Sequence, residues 1–209
     1  MPGTDVYILA GGQARRFNEA PKGLKMLGKL TLIEHIVDEF KSQLPNITLN
    51  TSHPAYTDFV RQHGLNLPVV EDKTPPYSGP LAGLYACMSH MIAHSDSEHL
   101  LLCPCDTPFI RFELYEKLIS ALPYEGMACY RYNSFLEPAF SLWHRALADD
   151  IYKAVVEQGM ASFKSLITAL GERAAIVNYT DESDKQHNPF FNINTEADLA
   201  SARELFNHE

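Results

Sequence analysis

Nothing in this chain approaches the run of about eighteen apolar residues that marks a membrane-spanning helix. The N-terminus, MPGTDVYILAGG, has no basic segment ahead of its short apolar run, so it does not read as a secretory signal. There is no GxxxxGK(S/T) phosphate loop and no GxGxxG dinucleotide fingerprint. The four cysteines, Cys87, Cys103, Cys105 and Cys129, form no CxxC pair and no Cys/His metal spacing. They read as small core residues in a reducing, cytoplasmic protein. None of the nine histidines joins a Ser/His/Asp or Cys/His nucleophile pattern; His53, near a strand end, is the one histidine singled out. Positive charge is scarce: 17 Lys and Arg stand against 26 Asp and Glu, a formal net charge of −9. That balance argues against a nucleic-acid binder, which needs a basic face.

What the chain has is ordinary globular material, 45% apolar and 21% charged over 209 residues, read as one domain spanning 1–209. No repeat, low-complexity tract or linker interrupts it. Apolar runs ended by turn residues predict strands over 5–10, 46–51, 67–72, 99–103, 126–132, 137–143 and 173–179. Helical periodicity predicts helices over Thr31–Leu44, with Thr31 as N-cap, 55–64, Pro80–Ile92, 112–122 and Thr195–Phe206. Residues 146–170 read as one or two helices broken near Gly159, and 181–189 as a loop. Strands alternating with helices predict an α/β fold of Rossmann-like type, a mostly parallel (mixed) sheet covered on both faces. In such sheets ligands sit beyond the carboxyl ends of the strands.

The unusual residues cluster at those ends. The first thirty residues carry net +3 in a chain of −9, from Arg15, Arg16, Lys22, Lys25 and Lys29 against Asp5 and Glu19. LAGG (9–12) ends the first strand, and its amides can form an anion-binding nest with those cations beside it. A plain Gly-Gly turn with solvated basic residues is the alternative. Asp106, in CPCDTP, follows a wholly apolar strand. A carboxylate there is a turn residue or a ligand for a divalent cation among phosphate oxygens. Asp72 ends another strand, and Gly79 and Gly83 bracket the start of a helix whose amino end favours anions. Asn50 ends the second strand. Asn192 and Asn194, in NINT, alternate so as to offer amides to one ligand.

Taken in order, LAGG, Lys-Gly-Leu, the strand-end Asn, Asp-x(6)-Gly-Pro-Leu-Ala-Gly-Leu, Cys-Pro-Cys-Asp-Thr-Pro and Asn-Ile-Asn-Thr resemble the molybdenum cofactor guanylyltransferase family over about residues 5–203. The resemblance implies a nucleotidyltransferase that joins GMP from Mg-GTP to the terminal phosphate of molybdopterin cofactor and releases pyrophosphate. It implies GTP binding by Leu9, Ala10, Gly11, Lys22, Asn50, Asp72 and Asp106, with Asp106 also holding Mg²⁺. Lys22, Asp106 and Arg16 become the catalytic group, Gly12 and Arg15 parts of the phosphate loop, and Gly79, Gly83, Asn192 and Asn194 parts of the nucleotide and pterin sites. Asn192 and Asn194 are expected to face the cofactor rather than the guanine. Transient contact with cofactor-supplying proteins or molybdoenzymes would follow. Where the family commonly reads Arg-Met-Gly, this chain has Arg16-Phe17-Asn18. A cytidylyl- or other nucleotidyltransferase on the same scaffold is the nearest alternative, and a non-catalytic cofactor-binding or delivery protein a more distant one.

Overall fold

The computed structural model describes residues 3–11, 21–72, 79–179 and 188–206. In chain order these form β1 (Thr4–Leu9), a 3-10 turn (Lys22–Leu24), β2 (Met26–Leu27), β3 (Leu30–Thr31), α1 (Leu32–Phe40), β4 (Ile47–Asn50) and α2 (Pro54–Gln62). There follow β5 (Val69–Val70), α3 (Pro80–His94), β6 (His99–Pro104), α4 (Phe112–Ala121), β7 (Met127–Tyr132) and β8 (Phe135–His144). The chain closes with α5 (Ala148–Tyr152), a π-helical turn (Lys153–Glu157), α6 (Phe163–Leu170), β9 (Ala174–Asn178) and α7 (Glu196–Phe206).

Seven strands make one sheet in the order β5-β4-β1-β6-β8-β7-β9. All run parallel except β8, which pairs antiparallel with both β6 and β7. The exception has a local cause. Asn133 and Ser134 both take positive φ, 45° and 72°, the two-residue hairpin geometry that reverses the chain between β7 and β8. The carboxyl ends of β5, β4, β1 and β6 therefore line one edge, side by side.

Strict alternation along the strands builds the two covered faces. Val6, Ile8, Leu101, Cys103, Ala128 and Tyr130 pack under α1, α2 and α4. Tyr7, Leu100, Leu102, Met127 and Cys129 pack under α3, α5 and α6. A third, smaller cluster holds α7 through Leu199 and Ala202 against Leu27, Leu32, Phe109 and Ile193. Thr31 caps α1 in a full capping box with Glu34, as its place before the apolar stripe predicts.

Two expectations need correcting. The strand expected over 67–72 is only Val69–Val70, because it pairs on one side alone, as the sheet's edge. The helix expected to Leu44 ends at Phe40, after which two turns bonded to the Phe40 carbonyl carry Leu44 into the core. The β2–β3 hairpin, at two residues per strand, is too short to leave a period in the sequence.

Gly79 opens α3 at φ 80° and ψ −179°, a backbone region essentially confined to glycine. A Cβ there would also stand 2.9 Å from the Ala161 carbonyl oxygen. Gly79→Ala is expected to cost about 2 kcal/mol or more in chemical denaturation. Gly64→Ala, at φ +65° with nothing within 4 Å, should cost about half that.

Candidate active site

The strand order decides which residues meet. β1 lies between β4 and β6, so Leu9–Gly11 run between Asn50 at the end of β4 and Asp106 just past the end of β6. Backbone bonds fix the level: Ala10 N–H donates to Asn50 O at 2.8 Å, and Cys105 N–H donates to Leu9 O at 3.1 Å.

On the β4 side, Asn50 is almost wholly buried and donates from Nδ2 to Val70 O at 3.1 Å and to Asp72 Oδ1 at 2.9 Å. Gly83, one turn into α3, lies against the same pair. A Cβ there would come within 3.0 Å of Asn50 Oδ1 and 3.1 Å of Leu9 Cδ2. A Cβ on Gly11 would stand 3.3 Å from Asp72 Oδ2. The two glycines thus keep open a corner walled by the oxygens of Asn50 and Asp72.

On the β6 side, Lys22 Nζ reaches Asp106 Oδ2 at 3.5 Å and makes a short hydrogen bond to Asn194 Oδ1. With its amide nitrogen turned inward, Asn192 donates to both Asp106 oxygens, at 2.7 and 2.8 Å. Ile193 N–H donates to Asp106 O at 2.9 Å, which clamps the NINT segment to the Asp106 loop. Beyond it, Thr195 and Asp198 cap α7 reciprocally, Asp198 accepting from the Asn194 and Thr195 amides. Burial pushes the Asp106 carboxyl above its ordinary range, and the neighbouring Lys22 ammonium opposes that rise. A carboxylate only 15% exposed and held by one cation and one amide is not a freely solvated turn residue.

A cleft of about 260 Å³ opens on the β6 side, lined by Leu9, Ala10, Gly11, Lys22, His53, Tyr56, Asp106 and Asn192 among others; Asn50, Asp72 and Gly83 do not line it. His53 lines it and also caps α2, its Nδ1 accepting from Ala55 N–H at 3.2 Å. Sequence reasoning passed over Tyr56 and the reason for Gly23. Gly23 N–H donates to Tyr56 Oη at 3.0 Å. A Cβ on Gly23 would lie 2.8 Å from Ile33 Cγ1, so the glycine lets the Lys22 turn sit flat on α1 and α2. The available signal was the Lys-Gly pair itself: a glycine beside a functional lysine is a place where backbone must approach closely.

Lys22, Asp106, Asn192 and Asn194 are brought together. Leu9, Gly11, Asn50, Asp72 and Gly83 form the adjoining corner, while Gly79 packs on Ala161 instead. Gly12, Arg15, Arg16, Phe17 and Asn18 lie outside the described residues, as does most of the 181–189 loop. Lys25 is occupied elsewhere, pairing with Glu196 at 2.6 Å and tying α7 down. All four cysteines are buried and free, and burial holds the Cys105 thiol up to about 12, far from a nucleophilic thiolate. Among the described residues no helix is long and apolar enough to cross a membrane.

The family model described as the MobA-like NTP transferase domain matches residues 6–187. A molybdenum cofactor guanylyltransferase of Vibrio cholerae is 30% identical over 207 residues, covering 94% of this chain and 90% of that one. One of Haemophilus influenzae is 38% identical over 115 residues, covering 55% of this chain and 56% of that one, so the match spans little more than half that relative's length. Among solved structures, molybdopterin-guanine dinucleotide biosynthesis protein A of Archaeoglobus fulgidus superposes with a TM-score of 0.73 at 21% identity, covering 98% of this chain and all of that one. At that identity the likeness is one of fold.

Proposed function

The chain belongs to the MobA-like NTP transferase family, and from that membership we propose that it transfers GMP from GTP to the terminal phosphate of molybdopterin cofactor, forming the guanine dinucleotide and pyrophosphate. The observation that carries the reading is the pairing of half-buried Asp106 with Lys22 and Asn192 on the β6 side of β1, with the Asn50–Asp72 corner on the β4 side.

The corner suits a base and the carboxylate end suits phosphates. The Asn50 and Asp72 oxygens present acceptors, and guanine offers adjacent N–H donors on its N1 and N2 edge, whereas cytosine offers one amino group beside two acceptors. That contrast favours GTP over CTP. The triphosphate then lies at Gly11, where the chain leaves the sheet and its exposed backbone suits anions, and its α-phosphorus comes to Lys22 and Asp106.

A phosphate oxygen of the cofactor attacks the α-phosphorus, and the bond to the bridging oxygen of the β-phosphate breaks. Pyrophosphate leaves with the electron pair. The nucleophile is already ionised near neutral pH, so no general base is required. What the protein must supply is alignment and neutralisation of two polyanions. Lys22 contributes the placed cation among the described residues of the cleft, and we assign Arg15, Arg16 and the Gly12 amide the rest of that task. The donor set also fits Mg²⁺. Asp106 is a hard oxygen ligand, and rotating the Asn192 amide turns its carbonyl oxygen to the same point. When bound, the ion supplies charge neutralisation at the phosphates.

Asn192 and Asn194, held on Asp106 and Lys22 on the β6 side, stand away from the base corner, where we assign the arrival of the acceptor phosphate. Asn192→Ala or Asn194→Ala should impair use of the molybdopterin substrate by about 1–3 kcal/mol while changing GTP affinity less. Equilibrium binding of each substrate to the same variants measures the split. A selective loss of GTP affinity would put both residues in the nucleotide site. Calorimetric titration with GTP, ATP, CTP and UTP tests the base assignment, with GTP expected to bind tightest. Equal or tighter CTP binding would favour a cytidylyltransferase.

A further inference from the structure

The edge of the sheet remote from Asp106 holds another convergence of polar side chains. The register of β6 on β8 sets His99 directly opposite His144. Alternation puts both imidazoles on one face, the face to which Leu101 and Leu142 contribute. Their rings meet edge to face with centroids 5.3 Å apart. Glu98, at the bend that enters β6, brings its carboxylate to the same place. One donor atom from each of Glu98, His99 and His144 lies within 4.8 Å of the other two, the one such trio among the described residues.

An independent observation falls on the same residues. His99 is 5% exposed, and its Nδ1 has no hydrogen-bond partner. It is the one buried side-chain nitrogen or oxygen in that condition among the described residues. Buried polar atoms are ordinarily satisfied, and one that is not calls for an account. We propose that Glu98, His99 and His144 form a binding site for a divalent cation of the zinc class at the amino-terminal edge of β6.

Two imidazoles and a carboxylate are a ligand set zinc accepts, with water in the fourth position. Without a thiolate the site does not select soft ions. Burial, and after it the neighbouring His144, lower the His99 pKa, so the ring keeps the neutral form a metal needs, while Glu98 acts the other way. Drawing the donors in to about 2.1 Å from the ion requires side-chain rotation, which exposed Glu98 and half-buried His144 can provide. One exchange is forced. His144 Nδ1 now accepts from Ala146 N–H at 3.1 Å. If Nδ1 binds the ion its lone pair is used. If Nε2 binds, the ring proton moves to Nδ1. Either way the Ala146 bond is given up for a metal–ligand bond. The ion would staple β6 to β8, the antiparallel seam of the sheet, and enter no step of the transfer reaction.

The test uses the full chain carrying Asp106→Asn, which removes the other candidate cation site, stripped with chelator and titrated with Zn²⁺ alone. The expected result is one Zn²⁺ per chain, a raised Tm, and a shifted amide resonance for Ala146. His144→Gln and Glu98→Gln, each at a position with room to rotate, should weaken uptake at least about tenfold. In the otherwise native chain they should leave nucleotidyl transfer unchanged. No uptake, or uptake indifferent to both substitutions, would overturn the proposal.

Discussion

Asp106→Asn is expected to abolish nearly all turnover while leaving the fold intact. The amide keeps the shape of the carboxylate and can still meet Asn192, so the Tm should change little. It loses the charge that faces Lys22 and would hold a divalent ion. Removing a contact that positions a metal among reacting phosphates should cost several kcal/mol of transition-state stabilisation. Single-turnover kinetics at saturating Mg²⁺ give the measurement. Near-normal rates would leave Asp106 as a structural turn residue.

Lys22→Ala should lower both GTP affinity and the rate of transfer, with kcat down about 100-fold or more, the loss typical of removing one preorganised charge from a reacting centre. The lysine is no loose surface cation. Its turn is held by the Gly23–Tyr56 bond, and its ammonium spans Asp106 and Asn194. A solvated charge would cost no more than about 0.5 kcal/mol when removed, and its effect would fade in salt. The Lys22→Ala defect should persist at high ionic strength. Kinetics within twofold of the native enzyme would show Lys22 to be a solvated loop residue.

The sequence was legible where its signals were local and long. β1 and β6 show as apolar runs ended by turn chemistry. α1 shows as a stripe behind an N-cap threonine, and α7 as a helix behind Thr195. Its fold class followed from their alternation. The antiparallel turn of β8 was legible as two adjacent strands, but not its insertion between β6 and β7, because strand order depends on packing that no local pattern records. The site divided in the same way. Asp106 stood out because an acidic residue after five apolar ones cannot be core. That Asn192 would sit on its two oxygens could not be read across 86 positions of chain, and Tyr56 looked like any helix-face aromatic. Gly79 and Gly83 looked alike in sequence. One answers a positive φ and the other a close approach to Asn50. Glu98 and His99 carried no spacing signal, because their partner His144 reaches them only through sheet pairing.

The most direct test of the central claim follows both ends of the nucleotide in one reaction. Purified protein is incubated with Mg²⁺, molybdopterin cofactor and GTP labelled either at the α- or at the γ-phosphate. Transfer of GMP predicts α-label in the dinucleotide product and γ-label in pyrophosphate, in equal amounts, with CTP turned over far more slowly. Absence of pyrophosphate in the presence of both substrates, γ-label appearing in the pterin product, or CTP used as readily as GTP would contradict it.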